Sequence, residues 1–273
     1  MRTGPHEFLA AAAARVGAAP AGTPRRPRVG VDLGTASCVL VVLDDDEPVW
    51  VESAGSGALH DGVVVDFAKA VATVRALRDS AQDALGLELA SAATAYPPCI
   101  PVADARACTY VCETAGFERV ELVDEVSAAQ RTLEVADGVV VDVGGGSTGV
   151  GVFRGGELVR LDDRPGGGHH LDLVLAGALD VDLAEAERFK RERPADALPI
   201  VTPNLHRIGE SIRSMTRGVD ADLPLYLAGG ALMIPRAGDV LARYLHRTVI
   251  THPHALLITP LGIARSCPEG ATP

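Results

Sequence analysis

Hydrophobic positions along this chain switch between two periods. From Val29 to Leu43 apolar residues run almost continuously, broken once at Asp32-Leu33-Gly34-Thr35. A β-branched run of this kind reads as two buried strands joined by a turn. Trp50-Val51 and Val63–Val65 are further strand candidates. Helical spacing takes over in Phe67–Leu85, where Phe67, Val71, Val74, Leu77 and Leu85 form one stripe with Arg75, Arg78, Asp79 and Asp83 off it. The pattern then predicts a strand over Ala92–Tyr96, stopped by Pro97-Pro98, and a helix around Ala103–Ala115. A strand over Val120–Val123 and a helix from about Ser127 follow. The second half repeats the order. Val139–Phe153 is β-rich and broken by Asp142-Val143-Gly144-Gly145-Gly146-Ser147-Thr148-Gly149, and Gly155-Gly156 leads as a hairpin into Glu157–Leu161. Helices are expected around His170–Leu179, Asp182–Arg193 and Leu205–Arg217. Strand Leu225–Ala228 runs into Gly229-Gly230, followed by a helix near Asp239–Leu245, strand Val249-Ile250 and a last helix from Leu261. Mixed β then α, twice over, predicts an α/β protein of two lobes.

Residues 1–28 stand apart. Phe8-Leu9 and Ala10–Ala14 read as a short helix, and Pro20, Gly22, Pro24 and Pro27 as a linker. The apolar run is short and His6 and Glu7 flank it, which does not suit a signal peptide. Two readings remain: a frayed tail, or a docking helix for a partner or shell with Phe8, Leu9 and Val16 on one face. The expected organisation is therefore 1–28 as N-terminal helix and linker, 29–138 as one lobe completed by a C-terminal helix of about 259–273, and 139–258 as the other lobe.

Composition narrows the function. The 273 residues carry 36 acidic and 25 basic side chains, a formal charge of −11, so the chain lacks the positive field of a general nucleic-acid binder. No run approaches the ~18 apolar residues of a membrane helix. Five scattered cysteines, Cys38, Cys99, Cys108, Cys112 and Cys267, fit a reduced cytoplasmic protein. Cys108 and Cys112 lie one helical turn apart with no second pair of metal ligands, so packing is their expected role.

The glycine loops carry the chemistry. Gly144, Gly146 and Gly149 spell G-x-G-x-x-G, but Val150, Val152 and Phe153 follow with strand alternation. A dinucleotide fingerprint needs a helix there, so that reading is rejected, and no Gly-Lys pair exists to make a Walker A loop. A strand–glycine turn–strand still suits phosphate. Glycine permits positive φ and close approach, successive N–H groups form an anion nest, and a strand-end Asp suits Mg²⁺. Asp32, Gly34 and Thr35 repeat in the same order as Asp142, Gly144, Gly145, Gly146 and Ser147, with the aspartates 110 residues apart. That spacing points to an internal duplication whose two hairpins face each other across a cleft. Gly229-Gly230, after a third strand, would let a flat base or ribose lie on bare backbone.

With these parts in hand, the chain resembles the actin-like ATPase superfamily of heat-shock chaperones, actin and sugar kinases. Gly30-Val31-Asp32-Leu33-Gly34-Thr35 is similar to its first phosphate motif and Val141–Thr148 to its second. Leu227-Ala228-Gly229-Gly230-Ala231 is similar to its adenosine motif. Asp124-Glu125 and Pro260-Leu261-Gly262-Ile263-Ala264 are similar to its connecting motifs. Within the superfamily the chain is most similar to the chaperone-like ethanolamine-utilisation family, over about residues 28–266. Its marks are Asp61–Phe67, Gly167-Gly168-His169-His170-Leu171, Glu185–Arg191 and Thr259–Ala264. Two departures stand out. Val126-Ser127-Ala128 replaces the usual Pro-Thr-Ala, which bears on hydrolysis more than on binding, and Ser147 stands where Thr is usual.

The resemblance implies a two-lobed fold of duplicated ribonuclease-H-like domains with a nucleotide cleft between the lobes. Asp32 and Asp142 would hold Mg²⁺ through water and orient the attacking water, with Glu125 as its acid or base. Gly34, Thr35, Gly144, Gly145, Gly146 and Ser147 would wrap the phosphates of ATP or ADP. Gly229, Gly230, Ala231 and Lys190 would meet the nucleoside. His169-His170 is expected beside the nucleotide rather than on a metal. The implied activity is a weak ATPase that assists or reactivates a client, an ethanolamine-pathway enzyme or microcompartment component, in the cytoplasm and associated with that compartment. No nucleic acid or membrane partner is expected. The alternatives are a small-molecule kinase of the same fold and a non-hydrolysing scaffold braced by nucleotide.

Overall fold

The computed structural model describes residues 4–20, 22–60, 63–98 and 100–268. Asp61-Gly62, Cys99 and the end of the expected C-terminal helix, residues 269–273, lie outside these. The chain divides into two compact units: Met1–Glu134 with Leu257–Pro273, and Val135–Leu256.

The first unit opens with helix α1 (Pro5–Ala13) and strands β1 (Pro27–Leu33), β2 (Ser37–Asp44) and β3 (Glu47–Gly55). A short ribbon follows, β4 (Leu59–His60) with β5 (Val63–Val64), then α2 (Phe67–Leu85), β6 (Ser91–Tyr96), α3 (Val102–Thr114), β7 (Arg119–Asp124) and α4 (Glu125–Leu133). The second unit runs β8 (Gly138–Val143), β9 (Ser147–Arg154), β10 (Glu157–Pro165), α5 (Gly168–Leu179), α6 (Leu183–Glu192), α7 (Pro194–Met215), β11 (Leu225–Ala228), α8 (Ala237–Leu245) and β12 (Val249–Ile250). The chain then returns to the first unit as α9 (Ile258–Ser266).

Each unit is built on a five-stranded sheet, and the two sheets have one topology. Strand order is β3-β2-β1-β6-β7 in the first and β10-β9-β8-β11-β12 in the second. In both, the first three strands are antiparallel neighbours and the last two pair in parallel. Parallel strands need helical crossovers, which cover the sheet faces and explain why every residue of β8 is buried.

In the first unit α9 lies tightly against α4 and β1. A Cβ on Gly262 would fall 1.7 Å from the Ala128 carbonyl oxygen, and one on Gly30 would fall 2.5 Å from the Ala264 nitrogen. The Thr132 hydroxyl donates to the Ile258 carbonyl at 2.7 Å. The stretch Thr259–Ala264 is therefore a packing seam within one unit.

Three sequence expectations change here. Phe8 and Leu9 are not available as a docking face, because both are buried where α1 packs on β3. The Arg265 guanidinium sits 4.1 Å from the Phe8 ring centroid while pairing with Asp46 at 3.2 Å and Glu134 at 3.3 Å. Of the three residues expected on that face, only Val16 stays exposed, and it forms a bridge to Val51. Next, α7 starts at Pro194 rather than near Leu205 and carries Pro199 and Pro203 inside it. Each proline removes an N–H, but both lie on the exposed side, where water can serve the freed carbonyls. Burial of Ala197, Val201, Leu205, Ile208, Ile212 and Met215 holds the helix together. Finally, the C-terminal helix ends at Ser266.

Candidate functional site

In the second unit, the turn between β8 and β9 is Gly144–Ser147, closed by the Gly144 N–H to the Ser147 carbonyl at 3.0 Å. The segment that starts α5 binds its other side. N–H groups of Gly168, His169 and Gly166 donate to the carbonyls of Gly144, Gly145 and Gly146 at 2.9, 2.8 and 2.8 Å. The Thr148 hydroxyl donates to the Gly166 carbonyl at 2.6 Å. A trans peptide points its N–H opposite its C=O, and no peptide described here is cis. The N–H groups of Gly145, Gly146 and Ser147 therefore point away from α5 as a row of three donors, a nest for an anion. The approach is close: a Cβ on Gly167 would stand 2.3 Å from the Gly144 oxygen. Gly144 itself does not adopt a left-handed conformation, and its Cβ would meet only the Ser147 oxygen at 3.9 Å. In this turn, close packing requires glycine at Gly167 rather than at Gly144.

The loop from β11 to α8 meets the same end of the sheet. Gly229 has φ +86°, and a Cβ there would fall 2.2 Å from the Val143 oxygen and 2.5 Å from Asp142 Oδ1. The Ala231 N–H donates to Val143 at 3.3 Å, and a Gly168 Cβ would touch the Ala231 side chain at 3.3 Å. Asp142, only 5% exposed, is thus held between the turn and the glycine pair. The structure brings Asp142, Gly144–Ser147, Gly229, Gly230 and Ala231 together in one unit. Lys190 lies on α6, its Nζ 2.6 Å from Asp172 Oδ1 on α5.

Sequence reading missed Asp163. Register sets Asp142 opposite Gly149 and Gly149 opposite Asp163, so the two carboxylates share a face across a residue with no side chain. The Ser147 hydroxyl binds Asp163, whose Oδ1 is buried and has no partner among the described residues. Burial pushes the Asp163 carboxyl up to about 7, against the hydrogen bonds from Ser147 and the Arg164 N–H, with Asp142 and Asp162 adding to the rise. A raised carboxyl pKa stabilises the fold only while the group keeps its proton. From about pH 4, where the unfolded chain loses that proton, to about 7, stability falls; above that window the contribution is constant. Urea midpoints at pH 5 and 7.5 should drop less in Asp163→Asn than in wild type. Equal drops would exclude Asp163 as their source. The signal in the sequence was the run Asp162-Asp163 just after the expected strand Glu157–Leu161, but only the register shows which aspartate shares the face of Asp142.

The turn of the first unit has the same form. Gly34 N–H closes to the Ser37 carbonyl at 3.0 Å, so Asp32-Leu33-Gly34-Thr35-Ala36-Ser37 matches Asp142–Ser147 position for position. Thr35 then corresponds to Gly145, and Ser37 to Ser147. The row equivalent to Asp142–Gly149–Asp163 is Asp32–Val39–Ser53, so the second carboxylate belongs to one unit alone. Asp124 caps α4, its carboxylate accepting the Ser127 N–H at 2.8 Å, and Glu125 occupies the first turn. Burial pushes the Cys108 thiol up to about 12, with the charges of Glu125 and Asp32 adding to the rise. Cys112 is likewise pushed to about 12 by burial, and Cys38 is raised by it. These buried thiols are packing groups without thiolate chemistry. Among the described residues no group of three or more His, Cys, Asp or Glu forms a metal cluster, and no helix is long and apolar enough to cross a membrane.

Twin sheets of this topology, each with a glycine turn between its first two strands, have the actin-like ATPase fold. Structures of MreB5 from Spiroplasma citri share it: the AMPPNP-bound form has a TM-score of 0.72 at 15% identity, covering 87% of this chain and 95% of that one. The MreB/Mbl protein family model matches residues 56–177. The crystal structure of ethanolamine utilization protein EutJ from Carboxydothermus hydrogenoformans superposes with a TM-score of 0.91 at 38% identity, covering 96% of this chain and 98% of that one. Ethanolamine utilization protein EutJ of Escherichia coli K12 is 35% identical over 254 residues, covering 92% of this chain and 90% of its own. The chain belongs to the EutJ family of ethanolamine utilization proteins.

Proposed function

We propose that this chain binds ATP with Mg²⁺ and uses the bound state to hold or reactivate a protein client of ethanolamine degradation, an enzyme or microcompartment component. One observation carries the nucleotide half: the turn whose three carbonyls are tied back to the start of α5, leaving the N–H groups of Gly145, Gly146 and Ser147 aimed the other way. Preorganised donors of this kind stabilise phosphate charge without reorganising. The bare backbone of Gly229 and Gly230, with Ala231, suits ribose and adenine. MreB5 of Spiroplasma citri, crystallised with ADP and with AMPPNP on the same fold, supports the reading.

Asp142 would hold Mg²⁺ through water, and Asp32 is its counterpart in the first unit's own turn. Bound there, the ion would supply charge neutralisation at the phosphates. Gly34 and Thr35 would form the equivalent phosphate turn of the first unit. Glu125 would orient the attacking water and accept its proton, giving a slow ATPase. The client half rests on membership of the EutJ family, and with it goes a cytoplasmic, compartment-associated location.

Three measurements on the purified chain test this: the melting temperature with and without Mg-ATP, phosphate release with no added acceptor, and capture of ethanolamine-pathway proteins with ATP and with ADP. The expected results are a clear upward shift, slow release and nucleotide-dependent capture. No shift would overturn the nucleotide reading. A shift without release would select a nucleotide-braced scaffold, and transfer seen only with a small hydroxylic acceptor would select a kinase.

A further inference from the structure

Lys190 carries the ammonium group that the sequence suggests for the nucleoside, yet its surroundings give it another task. Its Nζ lies 2.6 Å from Asp172 Oδ1, with the two side chains 14% and 12% exposed. The same Nζ is 3.5 Å from the Gly168 carbonyl. Gly168 and Asp172 are the two ends of the first turn of α5, and Gly168 and His169 are the residues whose N–H groups fix the carbonyls of Gly144 and Gly145. Lys190 thus ties α6 to the turn of helix that orients the nest.

Charge gives the tie a second effect. Asp172 is 8% exposed, and burial raises its carboxyl against the hydrogen bond and charge of Lys190. Glu187 adds to the rise and His169 opposes it; these and Lys190 are the charged neighbours that face Asp172. Without Lys190, a buried carboxylate would stand uncompensated one helical turn from Gly168, whose N–H holds the Gly144 carbonyl. A broken buried pair is far more damaging than a pair replaced whole.

We propose that Lys190 is a positioning residue, acting on phosphate affinity through Asp172 and the first turn of α5 rather than by contact with the nucleoside. The inference rests on the nucleotide-binding reading above.

The test is the dissociation constant of Mg-ATP for wild type, Lys190→Met, Asp172→Asn and the double variant, each with its unliganded melting temperature. Lys190→Met should weaken binding by about tenfold or more, and adding Asp172→Asn should recover most of that loss, because the neutral pair removes the stranded charge. Lys190→Arg, which keeps the charge, should lie between wild type and Lys190→Met. A double variant as weak as Lys190→Met, with Asp172→Asn binding like wild type, would overturn the inference and return Lys190 to direct contact. Failure of wild type itself to bind Mg-ATP would instead remove the nucleotide reading and this inference with it.

Discussion

Asp142→Ala should erase the stabilisation by Mg-ATP that the proposed function requires. Asp142, next to last in β8, is 5% exposed, beside the three donors of the turn and within touching distance of the Gly229 backbone. Alanine would keep the strand, whose Val139, Val140, Val141 and Val143 are fully buried, and remove only the carboxylate. At a ligand concentration 100 times Kd, binding contributes ~2.7 kcal/mol to stability. For a chain of this size that corresponds to roughly 5–10 °C in melting temperature. Differential scanning fluorimetry, with each protein's unliganded melting point as its own baseline, reads the effect. A shift in Asp142→Ala as large as that of wild type would place the nucleotide elsewhere.

Gly262→Ala should be the most damaging single-methyl change. The added Cβ would stand 1.7 Å from the Ala128 carbonyl oxygen, so α9 and α4 would have to separate. They have little freedom to do so. Gly30 of β1 receives the same helix, leaving a Cβ there only 2.5 Å from the Ala264 nitrogen, and α9 also packs on β2 and β6. Overpacking of backbone against backbone falls at the upper end of the usual range, about 3 kcal/mol or more. A melting temperature lower by roughly 6–12 °C follows. Gly177→Ala is the control, since nothing lies within 4 Å of its Cβ and α5 would gain helix propensity. Gly262→Ala melting like that control would contradict the α4–α9 seam.

Much of the site's local structure was legible. The continuous valine runs on each side of Asp142-Val143-Gly144-Gly145-Gly146-Ser147 announced a hairpin, and β9 follows the turn directly where a dinucleotide loop would have a helix. Other features were not. Phe8 and Leu9 looked like a bare apolar face because the sequence does not show β3 beneath them. The start of α7 at Pro194 was not legible, because local propensity counts the N–H groups that Pro199 and Pro203 lack and cannot count the buried stripe from Ala197 to Met215. The glycines at 166–168 could be seen, but their hydrogen bonds to the Gly144–Gly146 turn could not.

By itself the sequence determined the alternation of strands and helices, the repeated Asp-x-Gly turn and the third glycine pair. These depend on side-chain period and backbone freedom over a few neighbouring residues. Tertiary structure decided which way the turn's N–H groups point, which acid shares a face with Asp142, and that Lys190 meets Asp172. Each of those depends on register or on contact between segments distant along the chain, and such contacts are fixed only when strands pair and helices pack.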